Sequence, residues 1–133
     1  MSDMKAMREK IKSLHALVVD DEEEVLNSSL QFMRKIFHSV DGAENGETAM
    51  KMFKDKGGYD VLITDIKMPR MSGWDLIRSI RANDTEVFIA ALTGSPELDS
   101  NGLIRLCDCY LKKPVNIEAM AQMLEKIVKK RGM

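Results

Sequence analysis

Apolar residues along this chain come in two rhythms. Short unbroken runs, Ala16 to Val19, Val61 to Thr64 and Val87 to Leu92, alternate with stretches in which apolar positions recur every three or four residues. Runs of four to six suit strands buried on both faces, and the wider spacing suits amphipathic helices. The pattern predicts a strand at 16–19 and then a helix carrying Val25, Leu26, Leu30, Met33 and Phe37. Glu22, Glu23 and Glu24 open that helix, where its dipole favours anions. A weak strand follows near Val40. A helix over 46–58 turns Ala49, Met50 and Phe53 inward and stops at Gly57 and Gly58. Beyond the strand at 61–64, Ser72 and Asp75 have the spacing of a capping box and open a helix bearing Trp74, Ile77 and Ile80. A strand at 87–92, a short helix between Pro96 and Leu106, and a short strand at 109–111 come next. Asn116 caps a last helix with Ile117, Met120, Leu124 and Ile127 on one face. Residues 1–13 stand outside the alternation. There Met4, Met7, Ile11 and Leu14 form one helical stripe, so 1–13 reads as a helical extension of a domain at 14–131.

Five strands alternating with five helices predict an α/β fold, a doubly wound parallel sheet covered on both faces. In such a sheet the carboxyl ends of all strands share one edge, and ligands bind there. The residues that follow each strand therefore converge. Asp20 and Asp21 follow the first, Asp65 the third, Thr93 the fourth, and Lys112 and Lys113 the fifth, just before Pro114. The stretch VLITDIKMPRMSG makes the point sharply, because a strand of buried character ends on the carboxylate of Asp65. A buried charge is expensive unless it is paired or metal-bound.

Composition narrows the function. The chain has 133 residues, enough for one domain, with 44% hydrophobic and 31% charged residues and a net charge of −1. That balance argues against a nucleic-acid partner. The longest apolar runs are too short to span a membrane, and the first residues lack the apolar middle of a signal peptide. The chain is accordingly read as cytoplasmic. Cys107 and Cys109 are too close in sequence to favour a bridge, no zinc set completes them, and they read as reduced. Many of the 11 methionines read as core filler.

Three carboxylates at one rim repel each other and need a counter-charge. A hard divalent cation such as Mg²⁺ meets that need with carboxylates, a backbone carbonyl, waters and phosphate oxygens. A hydroxyl and a lysine beside them suit the equatorial oxygens of a transferring phosphoryl group, and a carboxylate can serve as the nucleophile. Asp65, on the central strand, is best placed for that.

The landmarks LVVDDE, ITDIKMPRMSG, ALTG and YLKKP, with AENGETAM at 43–50, occur in the order and spacing of the receiver domain of bacterial two-component response regulators. The chain resembles that family over roughly residues 14–131. The resemblance implies a flavodoxin-like sheet of strand order 2-1-3-4-5. It implies that Asp65 is the phosphoacceptor, and that Asp21, Asp65 and the Lys67 backbone carbonyl bind Mg²⁺ (or Mn²⁺), with Asp20 helping through water. It makes Thr93 the phosphate-sensing hydroxyl, Lys113 the phosphate-contacting cation and Tyr110 the aromatic switch. Lys67 and Ser95 would border the path of hydrolytic water. A cis peptide is expected between Lys113 and Pro114. The implied partners are a histidine kinase or histidine phosphotransfer protein, with no nucleic acid and no membrane, and the implied activity is self-phosphorylation and autodephosphorylation only.

Two departures from the family pattern stand out. The stretch from Thr93 to Lys113 is slightly short, and Cys107 replaces a usual glycine, which leaves the helix at 94–107 open. The last helix lacks the Arg-rich pattern of receivers that dimerise to drive DNA binding. Two other functions fit less well. An aspartate-nucleophile phosphatase of the haloacid dehalogenase type wants a second Asp two residues after the nucleophile, where this chain has Lys67. A phosphorylation-independent adaptor would typically lack one of the site residues. The chain reads either as a free-standing regulator or as the receiver of a larger regulator or hybrid kinase.

Overall fold

A computed structural model describes residues 2–93, 103–113 and 115–133. Its elements run α1 (Ser2–Lys12), β1 (His15–Val19), α2 (Glu23–Met33), β2 (Ser39–Ala43), α3 (Gly46–Asp55), β3 (Val61–Asp65), α4 (Gly73–Arg81), β4 (Phe88–Thr93), a 3-10 turn (Leu103–Leu106), β5 (Cys109–Lys112) and α5 (Ile117–Arg131). The five strands form one parallel sheet in the order β2-β1-β3-β4-β5. The predicted strand order and doubly wound architecture hold.

The sheet separates two apolar layers because side chains alternate along each strand. Ala16, Val18, Val61, Ile63, Phe88 and Ala90 face the layer that holds α2 and α5. Leu17, Val19, Leu62, Ile89 and Ala91 face α3 and α4. β3 and β4 are buried at every position, which explains their unbroken apolar sequence.

Local chemistry sets the element ends. Asn45 and Asn116 cap α3 and α5 through their side-chain oxygens, and Ser72 with Asp75 forms the predicted capping box at α4. α3 ends before Gly57 and Gly58, both at positive φ. Phe37 is buried but lies past the end of α2.

Two details differ from the sequence pattern. On α5 the inward residues are Met120, Met123 and Ile127, whereas Ile117 is 79% exposed. Ile117 is the first helical residue. On α4 Leu76 is fully buried and Trp74 only partly so. The helix expected between Pro96 and Leu106 appears only as the 3-10 turn at its end, because 94–102 lie outside the described residues. The expected cis bond before Pro114, and Ser95, lie outside them too.

α1 is part of the packed body. Ile11 and Leu14 are buried in the α2–α5 layer, and Met7 packs against it. The backbone N–H of His38 donates to the Lys12 carbonyl and ties the end of α1 to the entry of β2.

Candidate phosphoryl and metal site

Four of the five strands deliver polar groups to the carboxyl edge. Asp20 follows β1 and is fully buried, Asp65 ends β3 at 7% exposure, and Thr93 ends β4 at 8%. Asp20, Asp21 and Asp65 each offer a carboxylate oxygen, and these oxygens lie within 4.8 Å of one another.

The strand pairing itself brings them together. β3 lies between β1 and β4, with Thr64 opposite Val19 and Asp65 opposite Leu92. The Lys113 backbone N–H donates to the Thr93 carbonyl at 2.9 Å and carries the β4–β5 ladder one residue past the strand. That aims Lys113 inward, and its Nζ donates to Asp65 Oδ2 at 3.0 Å and to Asp20 Oδ2 at 3.3 Å. Lys112 is exposed.

The three carboxylates are not equivalent. Asp20 Oδ1 accepts from the Glu22 N–H at 3.0 Å, so both its oxygens are already engaged. Asp21 is exposed and, among the described residues, unpaired. Burial pushes the Asp65 carboxyl above its ordinary value, Lys113 pulls it down, and the charge of Asp20 adds to the upward push. Burial alone would lower the Lys113 ammonium. The hydrogen bonds and charges of Asp65 and Asp20 outweigh it and hold the group above its usual value. One lysine faces three carboxylates, and that excess of oxygen donors suits a hard divalent cation.

The loop after Asp65 is tightly built. Ile66 donates its N–H to the Leu92 carbonyl at 3.1 Å and accepts at its own carbonyl from Gly73 N–H at 2.8 Å. A Cβ on Gly73 would lie 2.1 Å from the Asp65 carbonyl oxygen, so only glycine allows α4 to start this close to the site. Arg70 holds a positive φ of 65° within the same loop. A glycine at a helix's first position, where propensity disfavours it, was the available sequence signal for this close approach.

Lys67, two residues past Asp65, is exposed. Tyr110 stands apart from the cluster, because its side chain is 47% exposed on β5 and its backbone pairs with Ala91. A second charged group went unnoticed in the sequence. Asp108, just before β5, accepts from the Ile89 N–H at 2.8 Å, from Arg81 Nη2 at 3.0 Å and from Lys130 Nζ at 2.9 Å. Arg81 also donates to the carbonyls of Leu106 and Val87, closing the turn that leads into β5.

The family model of the response regulator receiver domain matches residues 16–125. The virulence sensor protein BvgS of Bordetella pertussis is 33% identical over 126 residues, covering 87% of this chain and 10% of that protein. Chemotaxis protein CheY-3 of Vibrio cholerae is 30% identical over 121 residues, covering 87% of this chain and 92% of that protein. The solved structure of response regulator protein TrrA from Thermotoga maritima, in complex with Mg(2+)-BeF, has a TM-score of 0.78 at 32% identity, covering 86% of this chain and 98% of that one. The chain spans about half or less of several of the curated relatives it matches. No helix among the described residues is long and apolar enough to cross a membrane. The chain belongs to the response regulator receiver domains of two-component systems, a family of signalling modules that are phosphorylated and bind Mg²⁺ at an acidic pocket.

Proposed function

We propose that this domain is a phosphoacceptor switch in which Asp65 takes a phosphoryl group from a histidine kinase, a histidine phosphotransfer protein or a small donor such as acetyl phosphate. The observation that carries this reading is the contact of Lys113 with Asp65 and Asp20 beside the exposed carboxylate of Asp21. An Asp65 oxygen attacks phosphorus, the donor's bond to phosphorus breaks, and the leaving imidazole or acetate carries away its electron pair. Mg²⁺ (or Mn²⁺) would be held by Asp21, Asp65 and the Lys67 carbonyl, with Asp20 assisting through water, and when bound it offsets the negative charge of carboxylates and phosphoryl oxygens. Asp20 already has both oxygens occupied, which supports its outer position. Lys113 stays on the phosphoryl oxygens, and the Thr93 hydroxyl meets another.

The signal is a population shift. Drawing Thr93 toward the phosphoryl group opens room beside β4, and the half-exposed Tyr110 on the neighbouring strand moves in. Water hydrolyses the acyl phosphate and resets the domain. Lys67 and Ser95 would border that water's path, as the family resemblance implies. The activity is phosphotransfer to itself and hydrolysis of the resulting acyl phosphate, with no metabolic substrate.

The test is intact-mass measurement after incubation with acetyl phosphate and Mg²⁺. One phosphoryl adduct is expected on the wild type, and none on Asp65→Asn or in excess chelator. An adduct that survives either change overturns the assignment.

A further inference from the structure

We infer that α1 builds a docking groove for an acidic amphipathic helix of a partner protein. α1 precedes the family match at residues 16–125, so the receiver reading gives it no task. Between α1, the turn after α2, and α5 runs a groove of ≈ 400 Å³. Ile11, Ile36 and Leu124, buried or half-buried, form its floor. Lys5, Arg8, Lys12 and Lys35, all exposed, form its rim, against the single carboxylate of Glu9.

The charge is organised. Lys5, Arg8 and Lys12 are three and four residues apart, so they form one stripe roughly 10 Å long on α1. Lys35 supplies a cation from the turn after α2. Some cations elsewhere pair with carboxylates: Lys56 with Asp41, Arg78 with Asp75, Arg81 and Lys130 with Asp108, Arg131 with Asp60. The four groove cations have no such partner among the described residues, in a chain whose net charge is −1. A stripe of cations at helical spacing beside an apolar floor complements a helix with carboxylates on one side of an apolar stripe. Nucleic acid would engage the cations and leave the apolar floor uncovered. The tie between His38 and the Lys12 carbonyl holds the groove in shape.

The test uses the full chain and fluorescence anisotropy of a labelled peptide with leucine and glutamate at helical spacing. Comparators are a scramble of the same composition, polyglutamate, a duplex oligonucleotide and anionic phosphatidylglycerol vesicles. Saturable binding of the patterned peptide is expected, weakened about tenfold or more by the double change Arg8→Glu with Lys12→Glu and further by added salt. These side chains are exposed, so circular dichroism and acetyl phosphate labelling of the double variant should match the wild type. No saturable binding of the patterned peptide overturns the inference, as does equal binding of the scramble or polyglutamate, preference for the oligonucleotide or vesicles, or unchanged binding by the variant.

Discussion

Two ends of strand β5 carry carboxylates, and they are balanced in opposite ways. At its start, Asp108 is met by Arg81, Lys130 and the Ile89 N–H, two cations and a backbone donor for one anion. Past its end, Asp20 and Asp65 share the single Lys113, and Asp21 stands beside them unpaired among the described residues. The first cluster is saturated, and its hydrogen bonds close the structure. The second carries surplus negative charge in a partly buried setting, a state that folding alone would disfavour. Surplus anion at the carboxyl edge is what makes the second cluster a site for a cation and a phosphoryl group. Asp41 lies between these extremes, with one lysine and the Tyr59 hydroxyl, each at 2.6 Å.

The comparison breaks most visibly at Asp108. Asp108→Ala leaves Arg81, 13% exposed, without its carboxylate and frees the Ile89 N–H. Urea unfolding should show a loss of about 2–3 kcal/mol, while the folded fraction still accepts phosphate. A stability change within error would mean that the cluster is not structural.

At the other end, Lys113→Met should slow acetyl phosphate labelling ~100-fold, by removing a fixed cation from the developing charge. It should also tighten Mg²⁺, because the carboxylates lose their internal counter-ion. Isothermal titration checks the second point, and weaker Mg²⁺ binding would mean that Lys113 organises the carboxylates rather than competing for them.

Asp41 sharpens the scale. Burial works to raise its carboxyl, but Lys56 and Tyr59 prevail and hold it below the ordinary value of 3.8. A folded pKa below the unfolded one gives stability that is present above about pH 4 and lost as pH falls through the lower, folded value. Asp41→Asn should flatten the acid limb of a stability-against-pH curve by under ~1 kcal/mol, because Lys56 is 57% exposed and water screens the pair. An unaltered acid limb would remove Asp41 from the comparison.

The smallest effect concerns Lys67, an exposed cation beside the anionic cluster. Its long side chain can lie across the phosphoryl oxygens and obstruct the in-line water. Lys67→Ala and Lys67→Asn should lose phosphate roughly threefold faster once the donor is removed. Decay at the wild-type rate or slower in both variants would place the timer elsewhere.

The sequence by itself determined the architecture and which residue types meet at one edge. Unbroken apolar strands require cover on both faces, parallel strands share a carboxyl edge, and the landmarks from LVVDDE to YLKKP identified the family. Tertiary structure alone decided what depends on direction and distance. Lys112 and Lys113 are alike in sequence, and it is the β4–β5 ladder that turns Lys113 toward Asp65 and Asp20. Ile117 fits the stripe of α5 by spacing, yet it is the packed layer that decides that Met123 is buried and Ile117 is not. Asp108 has the spacing of no motif, because its partners come from β4, α4 and α5, between 19 and 27 residues away. Residues 2–12 carry an ordinary helical stripe, and their role as one wall of a basic groove exists only once α2 and α5 are folded against them. Periodicity records which side of an element is apolar, whereas the partner each side chain reaches depends on contacts distant in sequence, and those are set only when the sheet closes.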